Sequence, residues 1–421
     1  MPRQCNFLDS IKLENTEVSS SNLILQSVNN KLYFNGSKLT GNETTSSESI
    51  YTTPDVSNVN SIISYFKNEF GTSSFFLNIN PLVSTSNITY SNSNATNIPN
   101  FNFIFVGGVL VPNGNVIFIP QTSSNIGIYD PVNDIFSSGA SVAPLDNFRF
   151  RGGVLAPNGN VIMAPSRSDY VGIYDPETDT YTDGATTSGP DYAFNGCVLA
   201  PNGKVILIPQ NNNNIGIYDP ETDTYTNGPD VSSLGTNKFE GGVLAPNGKV
   251  ILIPQDNNNI GIYDPETDTY TNGPDVSSLG TNKFGGGVLA PNGLIYMIPD
   301  NGSSLGIYDP VKNILSESAT ISNGRRNSGC LSADGRIVLC PTNSSVDITI
   351  YDPVTDTSID IAHSLSNDLW EGCVLTHNGD IILIPSRRAS PNDCPIGILN
   401  YTNTNQLYNS VISLSPYFNK Y

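Results

Sequence analysis

A motif of about 44 residues recurs along this chain and leaves few folds open. Gly107, Gly152, Gly196, Gly241, Gly286, Gly329 and Gly372 each begin a unit, at intervals of 45, 44, 45, 45, 43 and 43 residues. The unit at 241–284, GGVLAPNGKVILIPQDNNNIGIYDPETDTYTNGPDVSSLGTNKF, shows the content most clearly. Four short apolar runs (243–245, 250–253, 260–263 and 269–271) separated by turn residues predict a small antiparallel sheet. The second run is apolar without alternation, as in a strand covered on both faces. Asn247-Gly248 predicts a type I′ hairpin turn between the first two strands, since both residues tolerate positive φ. The pair recurs at Asn113-Gly114, Asn158-Gly159, Asn202-Gly203, Asn292-Gly293, Asp334-Gly335 and Asn378-Gly379. Asp-Pro, each time after a Tyr, recurs at Asp130, Asp175, Asp219, Asp264, Asp309 and Asp352.

One such sheet cannot bury its own faces, so the units must stack on each other. Seven four-stranded units at this period match the blades of a β-propeller. Leucine-rich and β-helical repeats are shorter, and two-helix repeats need a 3.6-residue periodicity that is absent. The expected fold class is therefore all-β: a seven-bladed β-propeller over residues 74–421, with a small N-terminal extension over 1–73. Within the extension, 23–28 and 31–34 flank Asn29-Asn30 as a hairpin, and 58–70 places Val59, Ile62, Ile63, Phe66 and Phe70 on one helical face. Segment 74–93 reads as half a repeat, with 75–82 like a third strand and NITYSNS (87–93) like a fourth. A second candidate fourth strand lies at 406–412, so the sequence leaves open which of the two closes the ring.

Composition narrows the partners. The chain has 421 residues and a net charge of −19, with only 14% of residues charged. It lacks the basic stripe that phosphate contacts require, so nucleic acid is not an expected partner. No stretch approaches 18 consecutive apolar residues and the N-terminus has no apolar run of signal-peptide length, so neither membrane insertion nor classical secretion is expected. The six cysteines show no metal-ligand spacing. Cys197, Cys330 and Cys373 stand at the second glycine of their units and read as small buried residues. Cys330 and Cys340 flank one hairpin, but neighbouring strands alone do not make a disulfide. Reduced thiols are expected.

The diglycine, the hairpin and the YDPETDTYT turn together resemble the kelch motif. The resemblance covers roughly 103–412 and implies a propeller without implying an activity. The Asn- and Ile-rich wording, with LILQSVNNKLYFNG near the N-terminus, also loosely resembles particle proteins of large AT-rich DNA viruses, which implies a virion location.

Candidate chemistry is sparse. Alternate carboxylates in the DPETD turns (Asp219, Glu221, Asp223; Asp264, Glu266, Asp268) could suggest calcium, but Asp-Pro turn geometry accounts for them and no metal is expected. His363 and His377 are too few for a copper centre, and no nucleophile elbow or phosphate loop is present, so no cofactor is expected. An aromatic precedes each first strand: Phe105, Phe150, Phe194, Phe239, Phe284 and Trp370, with Asn327 as the exception. These are expected to pack between blades. The next residues (Arg151, Asn195, Glu240, Gly285, Ser328 and Glu371) are expected to face the central mouth. Arg149, Arg151, Arg325, Arg326, Trp370 and Glu371 are the candidate binding rim, because charge and one exposed aromatic break the pattern there.

Residues 198–239 and 243–284 differ only by Asn211 and Asp256, so two blades present nearly the same loops. A catalytic site needs unlike groups in fixed positions, and this weighs against an enzyme. The expected function is a non-enzymatic structural or protein-binding module. A glycan-binding, lectin-like propeller is the alternative. A hydrolase or lyase is the third reading, and it requires a polar cluster at the channel mouth.

Overall fold

The computed structural model describes residues 12–13, 25–28, 31–34, 37–40, 87–95, 98, 104–142, 149–342, 345–363, 370–386 and 395–402. Seven antiparallel sheets form the blades of a propeller. Blade 4 is typical: inner strand Phe239–Leu244, second strand Val250–Pro254, third strand Asn259–Asp264 and outer strand Thr269–Asp275. Blades 1, 2, 3, 5 and 6 span 105–141, 150–186, 194–230, 284–317 and 324–361. Blade 7 takes three strands from 370–402 and its outer strand from Asn87–Asn92. All seven second strands are buried at every position, which is why their sequences are continuously apolar. Leu25–Val28 and Lys31–Phe34 pair in a separate small sheet with Lys12–Leu13 and Ser37–Thr40. The expected helix at 58–70 and the strands at 75–82 and 406–412 lie outside the described residues.

Two local expectations are corrected. The hairpin is not type I′. Gly248 N–H donates to the Ala245 carbonyl at 3.0 Å, so Pro246 and Asn247 are the central residues of the turn. Proline cannot adopt positive φ, and only Gly248 is left-handed, at φ 80°. The result is a turn ending in a left-handed glycine, with Asn247 Oδ1 accepting the Lys249 N–H. The inner strand also begins earlier than the run at 243–245 suggests. It starts at the aromatic and carries the diglycine across a register shift between Phe239 and Gly241.

Each aromatic stacks through its own blade. A Cβ on Gly261 would stand 2.9 Å from the Phe239 ring and 2.8 Å from Leu252, so the third strand needs glycine there. Tyr270 of the outer strand packs on the far side, 6.3 Å from Phe239 between ring centroids. The same stack appears as Phe194, Gly216 and Tyr225, and as Trp370, Gly397 and Tyr90. The aromatics also join hydrophobic clusters that span neighbouring blades.

Blade 6 departs from this pattern. Arg326, not Asn327, pairs with Pro341 and so holds the aromatic position. Thr349 replaces the glycine and accepts a hydrogen bond from Arg326 Nη2 at 2.8 Å. Thr349 in turn donates to Asp360 at 2.7 Å. The register also makes Ser328 and Gly329 the diglycine of this blade, and shifts Cys330 one place past the second glycine.

Neighbouring blades are clasped by the last acid of the DPETD turn. Asp134, Asp179, Asp223, Asp268 and Asp356 all lie near φ 50°, with Asn313 in the same role. Each accepts the tyrosine hydroxyl of its own third strand, as Tyr218 does to Asp223 at 3.0 Å. Asp179 and Asp223 also accept a backbone N–H from the outer strand of the preceding blade, and Asp356 accepts one from Ala319, just past it. Asp134 closes the circle through Ser93 Oγ and the Asn94 N–H. The N-terminal strand therefore closes the ring, paired from Asn87 with Thr402 to Asn92 with Gly397.

Candidate functional site

The position immediately after the aromatic lies on the inner strand of each blade, and at blade 5 it abuts the next blade, since a Cβ on Gly285 would lie 2.6 Å from Asn327 Cα. Around the ring it holds Val106, Arg151, Asn195, Glu240, Gly285, Asn327 and Glu371. Blade register places Asn327 here where Ser328 was expected. Arg151 of blade 2 approaches Glu240 of blade 4, Nη1 to Oε1, at 3.8 Å. Blade 3 lies between them, so the two side chains meet in front of its inner strand, where Asn195 stands. Both are largely enclosed, with 22% and 16% of their side-chain surface exposed.

This mouth is polar and incompletely satisfied. Arg151 Nε is buried without a hydrogen-bond partner, and the Asn195 side chain lies close to the Glu240 carboxyl. Burial pushes the Glu240 carboxyl up to about 7, against the opposing pull of Arg151 and of a hydrogen bond from Asn195, while the charges of Asp300 and Glu371 push it further up. A carboxyl held there exchanges protons near neutral pH, the property a general acid or base needs. Glu371 also acts electrostatically on Arg325, whose Nε donates to Asp300 at 2.9 Å.

The six rim candidates do not form one set. Arg151 and Glu371 occupy the mouth. Arg325 is half exposed beside it and lines a separate cleft of about 940 Å³ between blades 5 and 6, with Lys283, Asn282, Ser304 and Glu317. Arg149 turns back into blade 2, where its guanidinium donates to the Val142 carbonyl, the Tyr181 hydroxyl and Asp183. Arg326 is fully buried in the blade 6 stack. Trp370, expected to be exposed, is fully buried, and its indole N–H donates to the Pro395 carbonyl at 3.0 Å. Asn195 and Glu240 join the mouth although neither breaks the repeat pattern in the way the six rim candidates do. Glu240 belongs to one of the near-copy blades, where only this residue and Asn195 of the preceding blade distinguish the two inner strands at the mouth.

No histidine serves the mouth. His363 packs against Trp370 and Tyr90 at the blade 6–7 boundary with Nε2 on the Val346 carbonyl, and His377 lies in the blade 7 hairpin turn near Gly114. Among the described residues, no group of three or more His, Cys, Asp or Glu side chains is placed to hold a metal ion, and no helix is long and apolar enough to cross a membrane.

No family model and no curated relative matches the sequence. Solved structures match the fold. A streptogramin B lyase superposes with a TM-score of 0.62 at 15% identity, over 75% of this chain and 98% of that one. A catalytically inactive virginiamycin B lyase from Staphylococcus aureus, with Quinupristin, gives 0.62 at 14% identity, over 75% and 99%. The extracellular domain assigned to a one-component system of B. thetaiotaomicron gives 0.59 at 14% identity, over 76% of this chain and 41% of that one. These matches establish the seven-bladed propeller. They also overturn the expectation of a non-enzymatic protein: propellers of this architecture include lyases, and repeated blades do not preclude a single unlike cluster at the mouth. Neither the kelch-like family nor the virus-particle resemblance gains support from the comparisons.

Proposed function

We propose that the channel mouth is an acid–base site for a small polar ligand, the arrangement of a lyase or hydrolase. The convergence of Arg151, Asn195 and Glu240 in one enclosed spot, with Arg151 Nε buried and unpartnered, carries this reading, because a buried polar atom without a partner costs stability unless a ligand completes it. In it Glu240 takes or gives the proton, Arg151 holds or polarises an electronegative group, and Asn195 orients the ligand. No histidine stands at this mouth, so Glu240 is the group on which activity rests.

The test is ligand-observed NMR with panels of hydroxy acids, amino acids, uronates and amino sugars, with quinupristin alongside. One panel class should bind and turn over, while quinupristin stays unchanged. Arg151→Ala should weaken binding at least about tenfold, the loss expected for one charge-assisted hydrogen bond. Glu240→Gln should bind without turnover. Absence of binding by every panel, or full turnover by Glu240→Gln, would overturn the reading.

The cleft between blades 5 and 6 supports a second reading, glycan binding. It offers amide and hydroxyl groups from Asn282, Ser303, Ser304 and Asn323 against an apolar wall that includes Leu279 and Leu315. A glycan array separates the two: binding that survives Arg151→Ala and is lost in Arg325→Ala assigns the glycan to the cleft.

A further inference from the structure

The second glycine of each inner strand is where a blade rests on the one before it. A Cβ on Gly153, Gly242, Gly287 or Gly329 would lie 2.7–2.9 Å from Cδ1 of Ile119, Ile208, Ile253 or Ile298 in the preceding blade's second strand. The valine of the preceding inner strand completes the contact, with Val198 3.1 Å from the Gly242 position and Val243 3.0 Å from the Gly287 position. Glycine, isoleucine and valine thus form a recurring three-part joint.

Two joints differ. Between blades 2 and 3, Cys197 replaces the glycine and Ala164 replaces the isoleucine, so the room needed by the thiol comes from the smaller partner. Between blades 6 and 7, all three parts are cysteine: Cys373 for glycine, Cys340 for isoleucine and Cys330 for valine. Space alone does not account for this, since alanine suffices at the other joint. Cys330 and Cys340 lie diagonally on one face of their hairpin, because Cys330 pairs with Val338 and Cys340 with Ser328. Cys330 and Cys373 both pack on the cluster that contains Cys340, and the Cys373 thiol interacts with each of the other two. All three are free thiols in this structure.

We propose that this joint is an oxidation site at which Cys373 forms a disulfide with Cys340 or Cys330, stapling blade 7 to blade 6. The two thiols give up two electrons and two protons to hydrogen peroxide, which leaves as two waters, and one S–S bond replaces two S–H bonds. Burial keeps the thiols protonated and therefore slow to react in the closed ring. The oxidant reaches them while blade 7 is undocked, so the staple is set as the ring closes. Blade 7 is the one that needs it, because its outer strand comes from a distant part of the chain.

The experiment refolds the full chain with hydrogen peroxide or with a reductant, followed by non-reducing peptide mapping and thermal unfolding. The oxidised protein should contain a cross-link from Cys373 to Cys340 or Cys330, and no other, and should unfold at higher temperature than the reduced form. Cys373→Gly, which restores the residue of the other joints, should lose both effects. The triple variant Cys330→Val/Cys340→Ile/Cys373→Gly rebuilds the standard joint and should unfold at one temperature under either condition. A cross-link between Cys330 and Cys340 alone, no cross-link at all, or an oxidation-dependent shift that persists in the triple variant would overturn the proposal.

Discussion

Asp223 in blade 3 accepts the backbone N–H of Ala185 in blade 2 at 2.8 Å. The same oxygen takes the Tyr218 hydroxyl at 3.0 Å, so one side chain secures its own blade and the joint with its neighbour.

Asp223→Ala should therefore lower stability by about 1–2 kcal/mol, the usual effect of losing hydrogen bonds to a partly exposed carboxylate. Asp223→Asn should cost much less, because Asn313 fills the same role and accepts the Tyr308 hydroxyl at 2.9 Å. Urea denaturation of the two variants decides the matter: equal losses would mean that charge, not the hydrogen bonds, holds the blades.

Glu240 predicts a pH dependence of definite sign. Its folded-state value of about 7 lies above the ordinary glutamate value of 4.5, so the native state holds the proton more tightly than the unfolded chain. The stabilisation is complete below pH 4.5, declines as the pH rises, and is lost above about 7. The full swing is roughly 3 kcal/mol at 1.36 kcal/mol per unit. Glu240→Gln should gain on the wild type as pH rises from 5 to 8, and a constant difference between them would contradict the assignment.

Blade 6 invites a double-mutant cycle. Arg326→Phe alone drives a ring onto the Thr349 side chain, and Thr349→Gly alone deprives Arg326 Nη2 of an acceptor. Together they rebuild the aromatic-on-glycine stack of the other blades. The pair should cost less than the sum of the singles, with a coupling of roughly 1–3 kcal/mol in denaturant titrations. Strict additivity would show that the two positions do not act as a unit.

Gly261→Ala should destabilise by about 1–3 kcal/mol through overpacking, since the new methyl meets Leu252 and the Phe239 ring inside ordinary contact distance. Gly248→Ala acts differently, through left-handed backbone at φ 80°, in open space but for Pro201 at 3.9 Å. Truncating Phe239 to Leu should partly rescue the first substitution and leave the second unchanged, as followed by thermal melts.

Much of the fold was legible because the repeat states it seven times. The apolar second strands and the turn residues locate every blade, and one period error, Gly329 for Ser328, displaced a single unit. Asn-Gly alone does not give the hairpin type, because the proline before it has a fixed φ that moves the turn by one residue. The mouth was only partly legible. Position after the aromatic pointed to Arg151, Asn195, Glu240 and Glu371, but no local pattern tells Arg149 to fold back onto Tyr181 and Asp183, or Arg326 to replace a ring. Those outcomes depend on what the third and outer strands supply, some 20 to 35 residues downstream.

Ring closure by Asn87–Asn92 also sets an order of events during synthesis. That strand is made before any blade, yet its partner at Gly397–Thr402 is about three hundred residues further on. At ordinary translation speeds it waits roughly 15–60 s without its ladder. Throughout that interval the nascent chain carries an unpaired edge, and a neighbouring chain on the same message offers an identical one. Successful folding is thus a race between the chain's own seventh blade and the strands of other copies, won by keeping the first segment from pairing too early.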